Sequence, residues 1–273
     1  MYKLIACDLD ETLLNSENKV SSKNIEAIQK ADAQGVKFVL ATGRGYATVQ
    51  GTLEEIGLQN KKDEYVISFN GGAVTENKDN HLLHFQGISF DLASELYKRG
   101  QDYDVAIHVY TQEDVYVYNL VEEERKHLET KMEVIEISDK NIDFLKDQAI
   151  AKVLYMNTDR DYLNQIEEDL KDITQNSDIT YSSNRYIEFN DKGVNKGAGI
   201  TFLADHLELD ISQTIAIGDN FNDLPMLETA GLAIGVQNMV PELKEKMDYV
   251  TEANHNESAI AEVIEKFILN GEE

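Results

Sequence analysis

The chain has one cysteine in 273 residues, Cys7, so no disulfide can form within it. Cys7 lies in an apolar run, where a thiol packs as a small hydrophobe. Prolines are also scarce. The two present, Pro225 and Pro241, both stand where a helix can begin, which suits proline at a first helical turn. Basic residues are few: 25 Lys and Arg against 51 Asp and Glu, a formal net charge of −26. Such a surface repels phosphate backbones and anionic lipid, which makes nucleic acid and membrane poor partners. A small phosphorylated substrate remains compatible with it, provided cations are placed locally. No apolar run approaches the roughly 20 residues of a membrane-spanning helix, and the few residues ahead of Asp8 are too short for a signal-peptide core. The expectation is a cytoplasmic protein.

Several chemical signatures are missing too. The six histidines form no His-Glu-x-x-His or comparable pair, which argues against a zinc site. The segment Gly193–Gly199 lacks the Gly-Lys-Ser/Thr of a phosphate-binding P-loop. A loop counted from Asp8 has Leu13 at its sixth position, where a calcium-binding EF-hand needs glycine. Internal repeats and low-complexity linkers are absent.

What is present is an alternation of short apolar runs with helical patterns, in a chain that is 42% apolar and can bury a substantial core. Its length suits one large domain or two smaller ones. Residues 4–7, 36–41 and 65–69 read as strands, with amphipathic helices over 21–33 and 46–56 between them. Ser21 or Ser22 caps the first helix and Gly35 stops it. This β-α-β-α-β order predicts an α/β fold, a Rossmann-like parallel sheet with helices on both faces. From about residue 85 the pattern changes. Residues 105–110 and 115–118 read as a hairpin, helices are expected over 90–98, 122–130 and 162–173, and strands over 152–156 and 186–189. Alternation returns with strands at 214–218 and 231–236 and helices over 224–229, 241–247 and 258–269. The chain therefore reads as a discontinuous core, residues 1–84 and 190–273, interrupted by an α+β cap domain over 85–189.

Four polar clusters fall at ends of the core elements: Asp8-Leu9-Asp10-Glu11-Thr12, Thr42-Gly43-Arg44, Lys196, and Gly218-Asp219-Asn220-Phe221-Asn222-Asp223. Ligands of an open parallel sheet bind outside the carboxyl ends of its strands, so the clusters should share one crevice. Asp8, Asp10, Asp219 and Asp223 cannot all stay ionised in a partly buried cleft. A hard dication resolves the conflict, and magnesium favours one or two carboxylates plus waters and phosphate oxygens. Lys196 adds positive potential, although a lysine at a helix start opposes the helix dipole, which itself points to a functional reason. Thr42-Gly43 is expected to open a helix whose free N–H groups would face an anion. An aspartate can act as nucleophile toward phosphorus while a second one, two residues on, serves as acid and base.

These motifs resemble those of the haloacid dehalogenase (HAD) superfamily. Phe69-Asn70-Gly71-Gly72 and the large insert between the second and third motifs are similar to the Cof-type branch. The resemblance covers essentially the whole chain in order, the insert matching only in size and pattern. It implies a magnesium-dependent phosphatase of small phosphorylated metabolites, sugar phosphates above all, working through an aspartyl-phosphate. Asp8 would be nucleophile and metal ligand. Asp10 would be general acid/base, with its backbone carbonyl on the metal. Asp219 would be a further magnesium ligand and Asp223 a support of the metal's shell. Thr42 and Lys196 would hold the phosphoryl group, with Asn222 touching it or orienting its neighbours. Gly43, Arg44 and Asn70 would lie near the substrate, and the cap would close over the crevice. Glu11 departs from the family, which often has glycine there.

Two rivals remain at this level. A phosphomutase or phosphotransferase would use the same aspartyl-phosphate with a different acceptor. A non-catalytic phosphometabolite-binding regulator would be expected to lack one of Asp8, Asp10, Lys196 or Asp219, and none is missing. Gly71-Gly72 reads equally as a turn or a substrate contact. Tyr110, Tyr116 and Tyr118, which alternate along the hairpin, read as cap packing. The natural substrate and the oligomeric state are not encoded in any pattern of this kind.

Overall fold

The computed structural model describes residues 1–129 and 131–271, which divide into two units, Met1–Phe85 with Asn195–Glu273 and Gln86–Val194. The second boundary falls at Val194, beyond the expected residue 189, because the last strand of the insert runs on through Asp191.

The first unit opens with β1 (Leu4–Cys7), α1 (Ser22–Ala33), β2 (Lys37–Ala41), α2 (Gln50–Glu55), β3 (Tyr65–Ser68), β4 (Ala73–Glu76) and β5 (His81–Phe85). The second contains α3 (Phe90–Gly100), β6 (Ala106–Thr111), β7 (Val115–Tyr118), α4 (Glu122–Leu128), β8 (Ile135–Ile137), β9 (Ile150–Met156), α5 (Arg160–Asp169), β10 (Ser177–Ser182) and β11 (Tyr186–Asp191). The chain returns to the first unit with α6 (Lys196–His206), β12 (Thr214–Gly218), α7 (Leu224–Thr229), β13 (Leu232–Gly235), β14 (Tyr249–Val250) and α8 (Ala259–Ile264).

The first unit is built on an eight-stranded sheet in the order β14-β13-β12-β1-β2-β3-β4-β5. Pairing is parallel from β14 to β3 and antiparallel across β3, β4 and β5. The two antiparallel strands were not expected. Ala73–Glu76 turns polar at Thr75 and Glu76, and no residue of the edge strand His81–Phe85 is buried, so neither shows the continuous buried apolar run of a parallel strand. Gly71 and Gly72 lie in the tight turn that joins β3 to β4.

The alternation of side chains along β1 sends Ile5 and Cys7 into one apolar layer and Leu4 and Ala6 into the other. The first layer packs with Ile28 of α1, Leu53 of α2 and Val263 of α8. The second packs with Ile200 of α6 and Met226 of α7. Helices on both faces make the sheet doubly wound. Ser21 caps α1, its hydroxyl accepting the N–H of Asn24 at 3.2 Å.

Helix ends differ from expectation where one continuous pattern splits. Residues 46–49 and 241–246 form 3-10 turns, and 265–269 continue α8 as a wider turn. The helix expected over 162–173 spans Arg160–Asp169, and Thr130, the expected end of another, lies outside the described residues.

The second unit is a six-stranded sheet, β10-β11-β9-β6-β7-β8, antiparallel except where β7 meets β8. One face carries Ile107, Val153, Tyr155, Ile187 and Phe189 against α3 and α5. Tyr116 and Tyr118 join that layer, edge-on to Phe144 and Tyr97, while Tyr110 is buried in β6 beneath the ammonium of Lys152.

Candidate active site

Strands β1 and β12 are adjacent and parallel, Cys7 lying opposite Ile217, and chain order reverses between them. Such a switch point opens a crevice at the carboxyl ends of the strands. Asp8 follows β1 there and Asp219 follows β12. The Asp8 amide donates to Ile217 O at 2.9 Å, so the carboxylate leaves the sheet from a fixed backbone.

Lys196 begins α6 behind the cap residue Asn195, whose side chain accepts the Ala198 N–H at 3.0 Å. Its side chain is fully buried. The ammonium donates to Asp8 Oδ1 and, at 2.6 Å, to Asp223 Oδ1. Two glycines allow this approach. A Cβ on Gly197 would collide with the Pro225 carbonyl of α7, and one on Gly218 would meet the Asp223 carboxylate at 2.6 Å. Asp223 Oδ2 accepts the N–H groups of Asp219 (2.9 Å) and Asn220 (3.1 Å), which ties the turn after β12 into a closed loop.

Asp8, Asp219 and Asp223 each present an oxygen within 4.8 Å of the others, and all three are buried. Burial pushes Asp8 up from the usual 3.8 to about 7, Asp223 adding to the rise and Lys196 opposing it. Burial pushes Asp219 up to about 9, with Asp223 and Asp8 adding to it. For Lys196, burial works to lower the value, but Asp223 and Asp8 outweigh it and hold the ammonium above its ordinary range. One cation faces three carboxylates, a surplus of two negative charges when all are ionised.

The donor set suits a hard dication. Asp223 has both oxygens engaged, one by Lys196 and the other by two amides. Asp8 Oδ1 is taken by Lys196 and Asp219 Oδ1 by the hydroxyl of Thr12. The second oxygens of Asp8 and Asp219 keep no protein partner among the described residues. That is the number of carboxylate ligands magnesium favours when waters and phosphate oxygens complete its shell.

The remaining expected residues lie around this centre. Asp10 does not share the partners of Asp8. The segment Leu9–Leu13 is a wide single turn, extended at Asp10 and left-handed at Glu11, so the Asp10 carboxylate meets Arg44 instead, in a two-point ion pair (Nε to Oδ2, 2.9 Å). Thr42 is buried at the end of β2. Its amide donates to Ile67 O, its carbonyl accepts from the Asn70 amide, and its hydroxyl accepts from the Arg44 amide at 3.1 Å. The helix expected to open at Thr42-Gly43 does not begin there. The first helical turn starts at Tyr46, because the 42–45 backbone is held by β3 and its following turn. Asn70 is buried after β3, Gly43 is half-buried, and Asn222 is half-buried on the turn that carries Asp223. Thr12 went unread in the sequence. Its signal was a hydroxyl in an apolar context, Thr12-Leu13-Leu14, four residues after Asp8; fully buried, its Oγ1 donates to Asp219 at 2.6 Å.

A family model described as haloacid dehalogenase-like hydrolase matches residues 5–264. The chain belongs to the haloacid dehalogenase superfamily. Its HAD fold is of the Cof-type, a parallel core with an inserted cap domain, and it is a phosphatase. A protein of Streptococcus pyogenes serotype M6 is 34% identical over 272 residues, covering 98% of this chain and 99% of its own. The 5-amino-6-(5-phospho-D-ribitylamino)uracil phosphatase YwtE of Bacillus subtilis is 30% identical, covering 97% of this chain and 98% of its own length. The crystal structure of a haloacid dehalogenase-like hydrolase from Bacteroides thetaiotaomicron superposes with a TM-score of 0.85 at 26% identity, covering 98% of this chain and all of that one. HAD phosphatases generally use a divalent metal, consistent with the buried acidic triad. Among the described residues no helix is long and apolar enough to cross a membrane.

Proposed function

We propose that this phosphatase hydrolyses phosphate monoesters of small metabolites through an aspartyl-phosphate on Asp8, with a magnesium ion held by Asp8, Asp219 and the Asp10 carbonyl and supported by Asp223. The observation that carries this reading is the triad of buried carboxylates around one buried lysine at the switch point of the sheet. The Asp8 carboxylate attacks phosphorus and the bond to the leaving oxygen breaks, Asp10, protonated and released from Arg44, giving that oxygen its proton. Water then attacks the same phosphorus and Asp10 takes its proton. The acyl-phosphate P–O bond breaks, restoring Asp8 and releasing inorganic phosphate. Lys196 neutralises negative charge on Asp8 and on the phosphoryl oxygens, and Thr42 and Asn222 contact the phosphoryl group. A bound magnesium ion supplies further charge neutralisation at those oxygens. Gly43, Arg44 and Asn70 line the substrate side.

Sugar phosphates and related polyol phosphates fit best as substrates. The relative YwtE acts, by its name, on a phosphorylated ribityl compound. The formal net charge of −26 favours small esters over polyanions.

The test is Asp8→Asn, which keeps the shape and removes the nucleophilic carboxylate. Phosphate release from a generic ester should fall at least about 10⁴-fold, the scale of losing a covalent nucleophile, with an unchanged circular dichroism spectrum. Near-normal turnover by the folded variant would remove Asp8 from the reaction.

A further inference from the structure

The loop after β13 touches both turns that carry the carboxylates. Val236 N–H donates to Gly218 O at 3.2 Å and Val240 N–H to Asp219 O at 2.8 Å, so the loop lies along the turn holding Asp219. From the same loop Asn238 reaches the turn after β1, its Nδ2 donating to Glu11 O at 2.8 Å. Asn238 Oδ1 accepts the His255 N–H at 3.0 Å, so both ends of the amide are held and its orientation is decided. Glu11 has φ 61° and ψ 10°, a left-handed conformation that strains any residue with a Cβ and persists only where surroundings impose it. Its neighbours on either side are Asp10, paired with Arg44, and Thr12, bonded to Asp219.

We infer that Asn238 is a positioning residue for phosphoryl transfer: by holding the Glu11 carbonyl it locks the left-handed turn and so aims Asp10 and Thr12 together. The inference rests on the phosphatase reading of this site. It also accounts for glutamate at a position where glycine adopts the same conformation without strain. The left-handed backbone at 11 is demanded by the turn, and the hydrogen bond from Asn238 compensates for the Cβ.

Two variants separate the two halves of the amide. Asn238→Ala loses both bonds, whereas Asn238→Asp keeps the acceptor for His255 and loses the donor to Glu11. Each is expected to lower kcat on p-nitrophenyl phosphate by about tenfold, the lower end seen when a partner orienting a site residue is removed, with KM changed less than about threefold. In a Glu11→Gly background, where the turn no longer needs the brace, Asn238→Ala should cost less than about threefold. Unchanged kcat in both Asn238 variants overturns the inference, and so does a loss that is equally large in the Glu11→Gly background. An inactive parent enzyme would sink the phosphatase reading itself, while an active parent with indifferent Asn238 variants sinks only the role of Asn238.

Discussion

Lys196 at the start of α6 and Lys152 in β9 are both almost fully buried and both pressed against carboxylates. Lys152 is matched with Glu188, whose other oxygen accepts the Ser182 hydroxyl at 2.5 Å, and its ammonium lies 4.9 Å from the centre of the Tyr110 ring. Its charge is balanced within the insert. Lys196 meets two aspartates with a third beside them, and its charge covers only part of theirs. Burial and ion pairing alone therefore do not mark a reaction centre, since structural pairs show both. The uncompensated negative charge does, because it can persist in a dry site only if protons or a cation are taken up. A surplus of two is what a divalent ion removes.

Chelation tests that surplus most sharply. With EDTA, phosphate release should fall to the background level, and added magnesium should restore it. Full activity in chelator would mean that the negative surplus plays no part in turnover.

Substituting the two lysines comes next. Lys196→Met should lower kcat by roughly 10³-fold, on the scale of losing a major electrostatic contact to the transition state. Lys152→Met should act on stability, by about 3–5 kcal/mol, because Glu188 stays buried without its counter-charge. The double change Lys152→Met, Glu188→Leu should recover most of that loss in thermal unfolding. If the double variant is no more stable than the single one, Lys152 and Glu188 do not form a balanced pair.

The smallest effect is a pH response of opposite sign in the two units. Asp8 and Asp219 hold their protons to about 7 and about 9 in the fold, against 3.8 when unfolded. Between those values the native state binds more protons, so metal-free stability should fall as pH rises from about 4 to about 9. His108, buried in β6, is held down to about 3 by burial, with Lys152 and Arg185 contributing, against 6.5 when unfolded. The unfolded state binds more protons in that window, so stability should fall as pH drops below 6.5. Melting temperature should decline on both sides by on the order of 5 °C. Magnesium should flatten the alkaline decline and His108→Phe the acid one. If magnesium leaves the alkaline decline in place, those carboxylates do not cause it.

The parts of this picture that were readable in advance are those with a local cause. Leu4–Cys7, Lys37–Ala41 and Thr214–Gly218 are buried on both faces, and a strand of that kind must be a continuous apolar run. Polar residues directly after such runs have to emerge at the sheet's carboxyl edge. The elements that were missed lack such a cause. β5 is an edge strand with exposed side chains, and β14 has only two residues. The helix misplaced at Thr42 was a matter of timing: 42–45 are held by bonds to β3 and its turn, which local periodicity does not encode.

The sequence by itself determined the doubly wound core, the interruption by a second unit, and the placing of Asp8, Asp10, Lys196, Asp219 and Asp223 at element ends. Periodicity and strand burial are properties of neighbouring residues. Only the tertiary structure decided the partners: Lys196 with Asp8 across 188 positions, Thr12 with Asp219 across 207, Arg44 with Asp10, and Asn238 with Glu11. Those pairings depend on which strand ends become adjacent at the switch point and on glycines that let α6 come close. They are consequences of packing, which no stretch of the chain contains on its own.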